Sequence, residues 1–175
     1  MDKVSKKTEE IIKTLKEVPI FKPFSNKPEE LLRIASIMDL KKAKKGEYII
    51  KEGNEGDTLF ILKSGAVNIL KKTLEKEEYT VVRLESTKDS VLFFGELALL
   101  DNDRRSASVM ADTDLELLTI NRSNFIKLGN KYPHLGLLIT REISKILASR
   151  LRKTNTDIIT LFEALVQEVS GGSAL

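Results

Sequence analysis

The chain has 175 residues, of which 41% are hydrophobic and 31% are charged, a balance typical of one water-soluble domain with its own core. Its 29 basic and 26 acidic residues leave a net charge of +3, too small to indicate nucleic-acid binding by itself. There is no cysteine and a single histidine, His134, so disulfides, thiol catalysis and multi-histidine metal sites are excluded.

Signals for export, membrane insertion or catalysis are missing from the sequence. No run approaches the roughly 18 apolar residues of a membrane span. The segment MDKVSKKTEE lacks the apolar core of a signal peptide, so we expect a cytoplasmic protein. His134 lies in the loop-like segment KYPHLG without a nucleophile motif nearby, so we expect no enzyme and no catalytic residues.

Residues 1–38 are predicted to form two helices that precede the rest of the domain. The first covers about residues 4–18, where apolar side chains recur at helical spacing. The second begins after Ser25 or Asn26, either of which can cap it, and Pro28 lies in its first turn. Its apolar side chains are expected to pack on the β-structure that follows: Leu31, Leu32, Ala35 and Met38.

From residue 39 to residue 121 the pattern changes to short β-branched and aromatic runs separated by glycines such as Gly46, Gly53 and Gly65. The strand candidates are 48–51, 59–62, 66–70, 79–84, 91–94, 107–111 and 115–120. This spacing predicts a mainly β fold, an eight-stranded jelly-roll-like β-barrel with flanking helices. The lysine run in LKKAKKGE is interpreted as protection of a strand edge.

Residues 122–170 return to a helical pattern and are predicted to form C-terminal helices that include a possible dimerisation segment. A helix capped by Asn121 or Ser123 is expected to end at Gly129, and a long helix begins at Pro133. It carries a nearly regular heptad seam that is interrupted by one polar residue, Thr154; the other positions are Ile143, Leu147, Leu151, Ile158, Leu161 and Leu165. This seam either packs on the chain's own barrel or pairs two chains, and its length favours a homodimer slightly.

The segment FFGELALLDNDRRSASVMA, residues 93–111, carries the strongest functional signal. Gly95 permits a tight turn into a helical turn, where unpaired N–H groups suit an anion. Arg105 is followed by small residues that let backbone N–H groups approach a phosphate, and Glu96 suits a sugar hydroxyl. The segment therefore predicts a site for a cyclic sugar phosphate; the alternative is an internal salt bridge between Glu96 and Arg105 with no ligand.

The stretch Phe94–Leu100 together with Arg105–Ala107 closely resembles the phosphate-binding cassette of cyclic-nucleotide-binding domains. Protein kinase A regulatory subunits and bacterial catabolite activators share this cassette. The segment Gly46–Ile69 also resembles the first strands and glycine turns of that family, and the likeness covers roughly residues 10–153. It implies a sensor or regulatory module for cyclic AMP, or for cyclic GMP, with no cofactor and no metal.

The resemblance assigns roles by position in the cassette. It implies that Gly95 offers its N–H near the ribose-phosphate and that Glu96 binds the ribose 2′-hydroxyl. It implies further that Arg105 pairs with the phosphate and that Ser106 supplies an N–H or a hydroxyl beside it. Two further backbone positions are implied to line the pocket: Leu97 and Ala98.

The cassette departs from the family pattern at two places. Arg104 stands where the family often has proline, and we expect it to be solvated rather than to contact the ligand. The segment STKDSVLF replaces the usual Gly-Asp lead-in, which leaves the shape of that loop open. Neither change removes a group that the family uses to contact the ligand.

The resemblance extends to a C-terminal helix that closes over the base. Arg150–Asn155 resembles the base-contacting segment of the catabolite activators, which nominates Thr154 and Asn155, although Thr154 equally fits a polar position of the seam. Helix movement is then expected to signal to a protein partner. The activators' DNA-reading domain has no counterpart before Leu175, so no DNA binding is expected. The alternative function is a ligand-free barrel that serves protein interaction or dimerisation.

Overall fold

The computed structural model describes residues 6–87, 91–102 and 104–171. The predicted start of the first helix at residue 4 and part of the altered cassette lead-in, residues 88–90, lie outside this described part. Among the helices of the described ranges, none combines the length and the apolarity required to cross a membrane.

The N-terminal segment folds into helix α1 (Lys6–Glu17), a 3₁₀-helix (Pro19–Phe24) and helix α2 (Pro28–Ala35). The predicted cap of α2 is wrong: Lys27 is the N-cap residue, and its side chain makes no capping hydrogen bond. Ser25 instead closes the preceding 3₁₀-helix, because its Oγ donates to the carbonyl oxygen of Lys22 at 2.9 Å. The side chains that this segment buries include Ile11, Leu15, Phe21, Phe24, Leu31, Ile34, Ala35 and Met38.

Eight strands follow in the described residues; seven of them lie close to the predicted bounds, and β1 has no counterpart among the predicted strands. They are β1 (Asp39–Ala43), β2 (Tyr48–Ile50), β3 (Thr58–Ser64), β4 (Ala66–Lys72), β5 (Glu78–Glu85), β6 (Leu92–Phe94), β7 (Ser108–Ala111) and β8 (Leu115–Asn121). They form two antiparallel four-stranded sheets with the orders β1-β8-β3-β6 and β2-β7-β4-β5. The mainly β, jelly-roll-like fold with flanking helices is confirmed, as two sheets rather than a closed barrel.

The core lies between the two sheets, and both contribute alternate side chains to it. Its members are Ala43, Ile50, Phe60, Leu62, Val67, Phe94, Val109, Ala111, Leu115 and Leu117. Within it the rings of Phe60 and Phe94 stack, with centroids 5.5 Å apart. Because Phe94 is the last residue of β6, this stacking fixes the point at which the chain leaves the sheet for the cassette.

Helix α4 (Arg122–Lys131) begins as the sequence predicts, with Asn121 as its cap. The Oδ1 atom of Asn121 accepts a hydrogen bond from the backbone N–H of Asn124 at 2.8 Å. The predicted end at Gly129 is wrong, because the helix continues to Lys131. Gly129 lies against Gly136 instead, and Gly136 is the residue that this contact requires to be glycine, since a Cβ added there would lie 2.9 Å from the Cα of Gly129.

Helix α5 (Pro133–Gly171) is continuous over 39 residues. The chain divides into two compact units within this helix, one covering Met1–Thr140 and the other Arg141–Leu175. In the second unit, every described position from 149 to 170 is exposed to solvent, including the predicted seam residues from Leu151 onward.

Candidate ligand-binding site

The cassette begins where β6 ends, with a turn that only glycine adopts easily. Gly95 has a φ of 75°, in the left-handed region that side chains with a Cβ disfavour. A Cβ at this position would also lie 2.8 Å from Nη1 of Arg105 and 3.0 Å from the carbonyl oxygen of Thr58. Gly95 therefore allows the backbone to bend sharply and the arginine to lie directly against it.

Helix α3 (Leu97–Leu100) follows as a single turn. The backbone N–H of Ala98 donates to the carbonyl oxygen of Gly95 at 3.2 Å. The carbonyl oxygen of Ala98 accepts from Nε of Arg122 at 2.9 Å, and Nη1 of Arg122 donates to Oδ1 of Asn102. Both backbone groups of Ala98 are thus bonded within the protein, whereas the side chain of Leu97 is 47% exposed.

Arg105 is held by the backbone of two neighbouring segments. Its Nη2 donates to the carbonyl oxygen of Thr58 at 2.7 Å, and its Nη1 donates to that of Gly95 at 3.3 Å. A Cβ on Gly56 would lie 2.7 Å from Nη2, so the guanidinium packs flat against that glycine. The loop between β2 and β3 and the cassette therefore position this side chain together.

The main chain at Arg105 is fixed to the same loop. Its N–H donates to the carbonyl oxygen of Asn54 at 2.8 Å, and its carbonyl oxygen accepts from the N–H of Gly53 at 2.9 Å. The adjacent Arg104 is exposed, and its Nη1 donates to the carbonyl oxygen of Gly53 at 3.3 Å. The two consecutive arginines therefore differ in burial, and only Arg105 reaches inward.

The charge of Glu96 acts on the guanidinium of Arg105, so the two residues lie near each other, and their contacts with a ligand stay predictions. The glutamate is only 4% exposed. Burial lowers the pKa of the Arg105 guanidinium, while the negative charges of Asp57 and Glu96 act in the opposite direction. A guanidinium keeps its charge under such a shift, so the site holds a partly desolvated cation, which an anion would stabilise further.

A cavity of about 330 Å³ opens beside Arg105, in the size range of small-molecule sites. It is lined by Tyr48, Ile49, Ile50, Lys51, Asn54, Glu55, Gly56, Asp57, Thr58 and Arg105. Among the predicted site residues, only Arg105 lines it. The sequence analysis did not predict that β2 and residues 54–58 line this cavity. The glycine-rich turn GNEGD in this stretch was the available signal.

The segment after Arg105 is fixed by an ion pair between Lys71 of β4 and Glu52, which lies in the turn after β2. Ser106 is exposed, and its carbonyl oxygen accepts from Nζ of Lys71. The same ammonium donates to the carboxylate of Glu52 at 2.7 Å, and this hydrogen bond lowers the pKa of Glu52. The backbone N–H of Glu52 donates to Oγ of the buried Ser108 at 3.0 Å. Sequence reasoning missed this pair, because its partners meet only through strand pairing.

The two lid candidates lie on α5, away from the first unit in sequence. Thr154 and Asn155 are both exposed and belong to the unit Arg141–Leu175. Their contact with a base therefore stays a prediction. In the part of the chain that the structure describes, no group of three or more His, Cys, Asp or Glu side chains is arranged to hold a metal ion.

A family model described as the cyclic nucleotide-binding domain matches residues 40–132. The cAMP-dependent protein kinase regulatory subunit of Emericella nidulans is 39% identical over 114 residues, which cover 65% of this chain and 26% of that protein. The cGMP-dependent protein kinase isozyme 2 forms cD5/T2 of Drosophila melanogaster is 30% identical over 140 residues, which cover 75% of this chain and 14% of that protein. The chain therefore spans only a minor part of these relatives.

Solved structures show the same likeness in three dimensions. The catabolite activator protein of Thermus thermophilus is 30% identical with a TM-score of 0.69, covering 82% of this chain and 63% of that one. The regulatory domain of Toxoplasma gondii PKA, crystallised with cAMP, is 28% identical with a TM-score of 0.60, covering 73% of this chain and 46% of that one. With the matching family model, the cassette geometry and this fold, the chain belongs to the cyclic nucleotide-binding domain family.

Proposed function

We propose that this protein is a regulatory sensor that binds a cyclic nucleotide, cAMP or cGMP, at the cassette beside Arg105. The observation that carries the proposal is the partly buried guanidinium of Arg105, held by the carbonyl oxygens of Thr58 and Gly95 next to the buried Glu96. Relatives named for both nucleotides support either ligand, and the Toxoplasma gondii structure with cAMP supports the first.

Each end of the ligand has a proposed partner. The cyclic phosphate carries one negative charge and pairs with Arg105, assisted by the N–H of Gly95 and by Ser106. The ribose 2′-hydroxyl donates to the carboxylate of Glu96. Leu97 and Ala98 line the cassette. Because the backbone N–H and carbonyl oxygen of Ala98 are already hydrogen-bonded within the protein, Ala98 forms part of the wall and does not bond to the ligand.

Signalling is proposed to depend on the C-terminal helix. Thr154 and Asn155 contact the base, and the ligand stabilises the helix position in which they do so. A ligand shifts the helix only if it binds one position more tightly, so the cassette and the helix must contact the same molecule. A protein partner then recognises the new position of the helix.

Three further features belong to the proposal. The protein acts in the cytoplasm, for which its cysteine-free sequence is the support. It regulates rather than catalyses, as the named regulatory subunits among its relatives do. It forms a homodimer through α5, supported by the exposed apolar side chains of that helix.

A thermal-shift panel of cyclic mononucleotides and dinucleotides tests the ligand. At 100 times its dissociation constant, a ligand stabilises the folded state by about 2.7 kcal/mol, which for a chain of this size raises the melting temperature by about 5–11 °C. Arg105→Ala is expected to abolish the shift, and the matched control Arg104→Ala to retain it. If no nucleotide shifts the wild-type protein, the alternative of a ligand-free interaction module is favoured.

A further inference from the structure

An ion pair beside the cassette joins three segments of the first compact unit. The Nζ atom of Lys71, on β4, donates to Oε1 of Glu52 at 2.7 Å and to the carbonyl oxygen of Ser106. The second carboxylate oxygen of Glu52 accepts from the backbone N–H of Lys72 at 3.0 Å. The ammonium therefore bonds both to the turn after β2 and to the segment after Arg105, and the carboxylate uses both of its oxygens on β4.

Glu52 also directly precedes the residues that hold the main chain of Arg105. The N–H of Gly53 donates to the carbonyl oxygen of Arg105 at 2.9 Å, and the N–H of Arg105 donates to that of Asn54 at 2.8 Å. Further along the same loop, Gly56 packs against the guanidinium. Because the carboxylate of Glu52 anchors the start of this loop on β4, the position of Arg105 depends on the same ion pair.

A chain of hydrogen bonds extends from Glu52 to the wall of the cavity. The backbone N–H of Glu52 donates to Oγ of Ser108 at 3.0 Å, and this hydroxyl donates to Oε1 of Glu78 at 3.1 Å. The other carboxylate oxygen of Glu78 accepts at 2.5 Å from the hydroxyl of Tyr48, which lines the cavity. Ser108 is buried, and its hydroxyl both accepts and donates within the protein. A satisfied network of this kind restricts the segments that it joins.

We infer that Glu52 and Lys71 are positioning residues for the proposed phosphate site. They act through Arg105 and Ser106, the two residues assigned above to the phosphate, rather than by contact with the ligand. A peptide group is planar, so the hydrogen bond from Lys71 to the carbonyl oxygen of Ser106 also fixes the plane of the peptide that follows Ser106. Groups that are held in place before a ligand arrives bind it more tightly, because less conformational freedom is lost on binding. The inference rests on the proposed function and extends it to two residues outside the cassette.

Calorimetry with cAMP and cGMP separates this positioning role from a general effect on stability. Lys71→Met keeps the aliphatic stem but removes both hydrogen bonds, and it is expected to weaken nucleotide binding about tenfold. Lys71→Arg keeps the charge and the donors, and it is expected to restore most of the affinity. The matched control is Lys63→Met, because the ammonium of Lys63, on β3 of the other sheet, donates to the carboxylates of Glu10 and Glu116 at 3.2 Å each. This control is expected to lose stability in urea and to keep the affinity of the wild type.

A double-mutant cycle tests whether the two residues act as one unit. Glu52→Gln alone is expected to weaken binding less than Lys71→Met does, because the amide oxygen still accepts a hydrogen bond from Lys71. With both substitutions combined, the loss of affinity is expected to be smaller than the product of the two single losses. Losses that simply multiply, or a loss in Lys63→Met as large as that in Lys71→Met, would overturn the assignment.

Amide hydrogen exchange in the nucleotide-free protein tests the positioning without any ligand. Lys71→Met is expected to speed the exchange of the N–H groups of Gly53 and Arg105, whose hydrogen bonds join the loop to the cassette, and Lys63→Met is expected to leave both unchanged. Unchanged exchange in Lys71→Met, or undiminished affinity, overturns this inference alone, and nucleotide binding by the wild type then still stands. A wild-type chain that binds neither nucleotide overturns the proposed function, and with it the role of this ion pair in binding.

Discussion

The guanidinium of Arg105 lies directly against the backbone of Gly95 in the cassette. Nη1 of the arginine donates to the carbonyl oxygen of the glycine at 3.3 Å, and a Cβ on the glycine would come within 2.8 Å of the same nitrogen. The absence of a side chain at position 95 thus decides where the guanidinium lies. The missing Cβ of Gly95 therefore allows both the sharp turn and the position of Arg105 from which we propose that it contacts the phosphate.

Gly95→Ala is expected to lower both stability and nucleotide affinity. The left-handed φ of 75° costs a residue with a Cβ about 1–3 kcal/mol, and the new methyl group displaces Arg105. The matched control is Gly46→Ala, because Gly46 has a φ of 86° with nothing within 4 Å of an added Cβ. Urea unfolding is expected to show a loss for both variants, larger for Gly95→Ala because only its methyl group clashes, and calorimetry is expected to show a loss of affinity for Gly95→Ala only. Equal affinities in the two variants would contradict this account of the turn.

Glu96→Gln is expected to weaken the binding of a cyclic nucleotide about 10- to 100-fold. A hydrogen bond to a charged group contributes about 1.5–3 kcal/mol, and the amide accepts more weakly from the ribose 2′-hydroxyl than the carboxylate does. The informative comparison uses the 2′-deoxy analogue of the same nucleotide, which lacks that hydroxyl. The wild type is expected to bind this analogue weakly, and Glu96→Gln is expected to bind it no more weakly than the wild type.

The assignment of Glu96 to the ribose fails if the substitution weakens the binding of both nucleotides equally. Such a result would mean that the carboxylate acts on the structure of the cassette rather than on the sugar. The melting temperature of the variant without nucleotide separates these explanations, because a structural role lowers it and a ligand contact alone does not.

Stability is expected to fall in acid as the carboxylates that bind lysine and arginine become protonated. The hydrogen bond from Lys71 is the largest cause that lowers the pKa of Glu52, and burial acts against it; the pKa of Glu116 is lowered in the same way by Lys63 and Lys42. A carboxyl whose pKa is lower in the folded state stabilises the fold above its unfolded pKa. That stabilisation is lost as the pH falls through the folded value.

Urea unfolding of the wild type and of Glu52→Gln measures this effect between pH 7 and pH 3. At neutral pH, Glu52→Gln is expected to be less stable than the wild type, because the ion pair with Lys71 is lost. The difference is expected to shrink as the pH falls through the folded pKa of Glu52, because the wild-type carboxyl then becomes protonated. A difference that stays constant with pH would show that the charge of Glu52 does not contribute to stability.

Local features of the fold were predictable from the sequence. The glycines that separate the strands have positive φ values at Gly46, Gly53 and Gly65, so the strand bounds follow from single residues. Asn121 caps α4 with its own side chain, three residues from its donor. The helical period of α5 is likewise a property of one continuous segment. Each of these signals depends only on residues adjacent in the chain.

Features that depend on tertiary contacts were not predictable. Gly129 has the sequence character of a helix end, but α4 continues past it to Lys131 and packs against Gly136, where an added Cβ would lie 2.9 Å from the Cα of Gly129. Ser25 has the character of a helix cap, but its hydroxyl bonds to Lys22 behind it. The contact of Lys71 with Ser106 requires the pairing of β4 with β7, which no local pattern reveals.

The central claim is that Arg105 binds the phosphate of a cyclic nucleotide, and calorimetry with cAMP and cGMP tests it most directly. The wild type and Arg104→Ala are expected to release or absorb heat with the same dissociation constant. Arg105→Lys, which keeps the charge but loses the planar fork, is expected to bind about tenfold or more weakly, and Arg105→Ala not measurably. Undiminished binding by a folded Arg105→Ala protein would contradict the account.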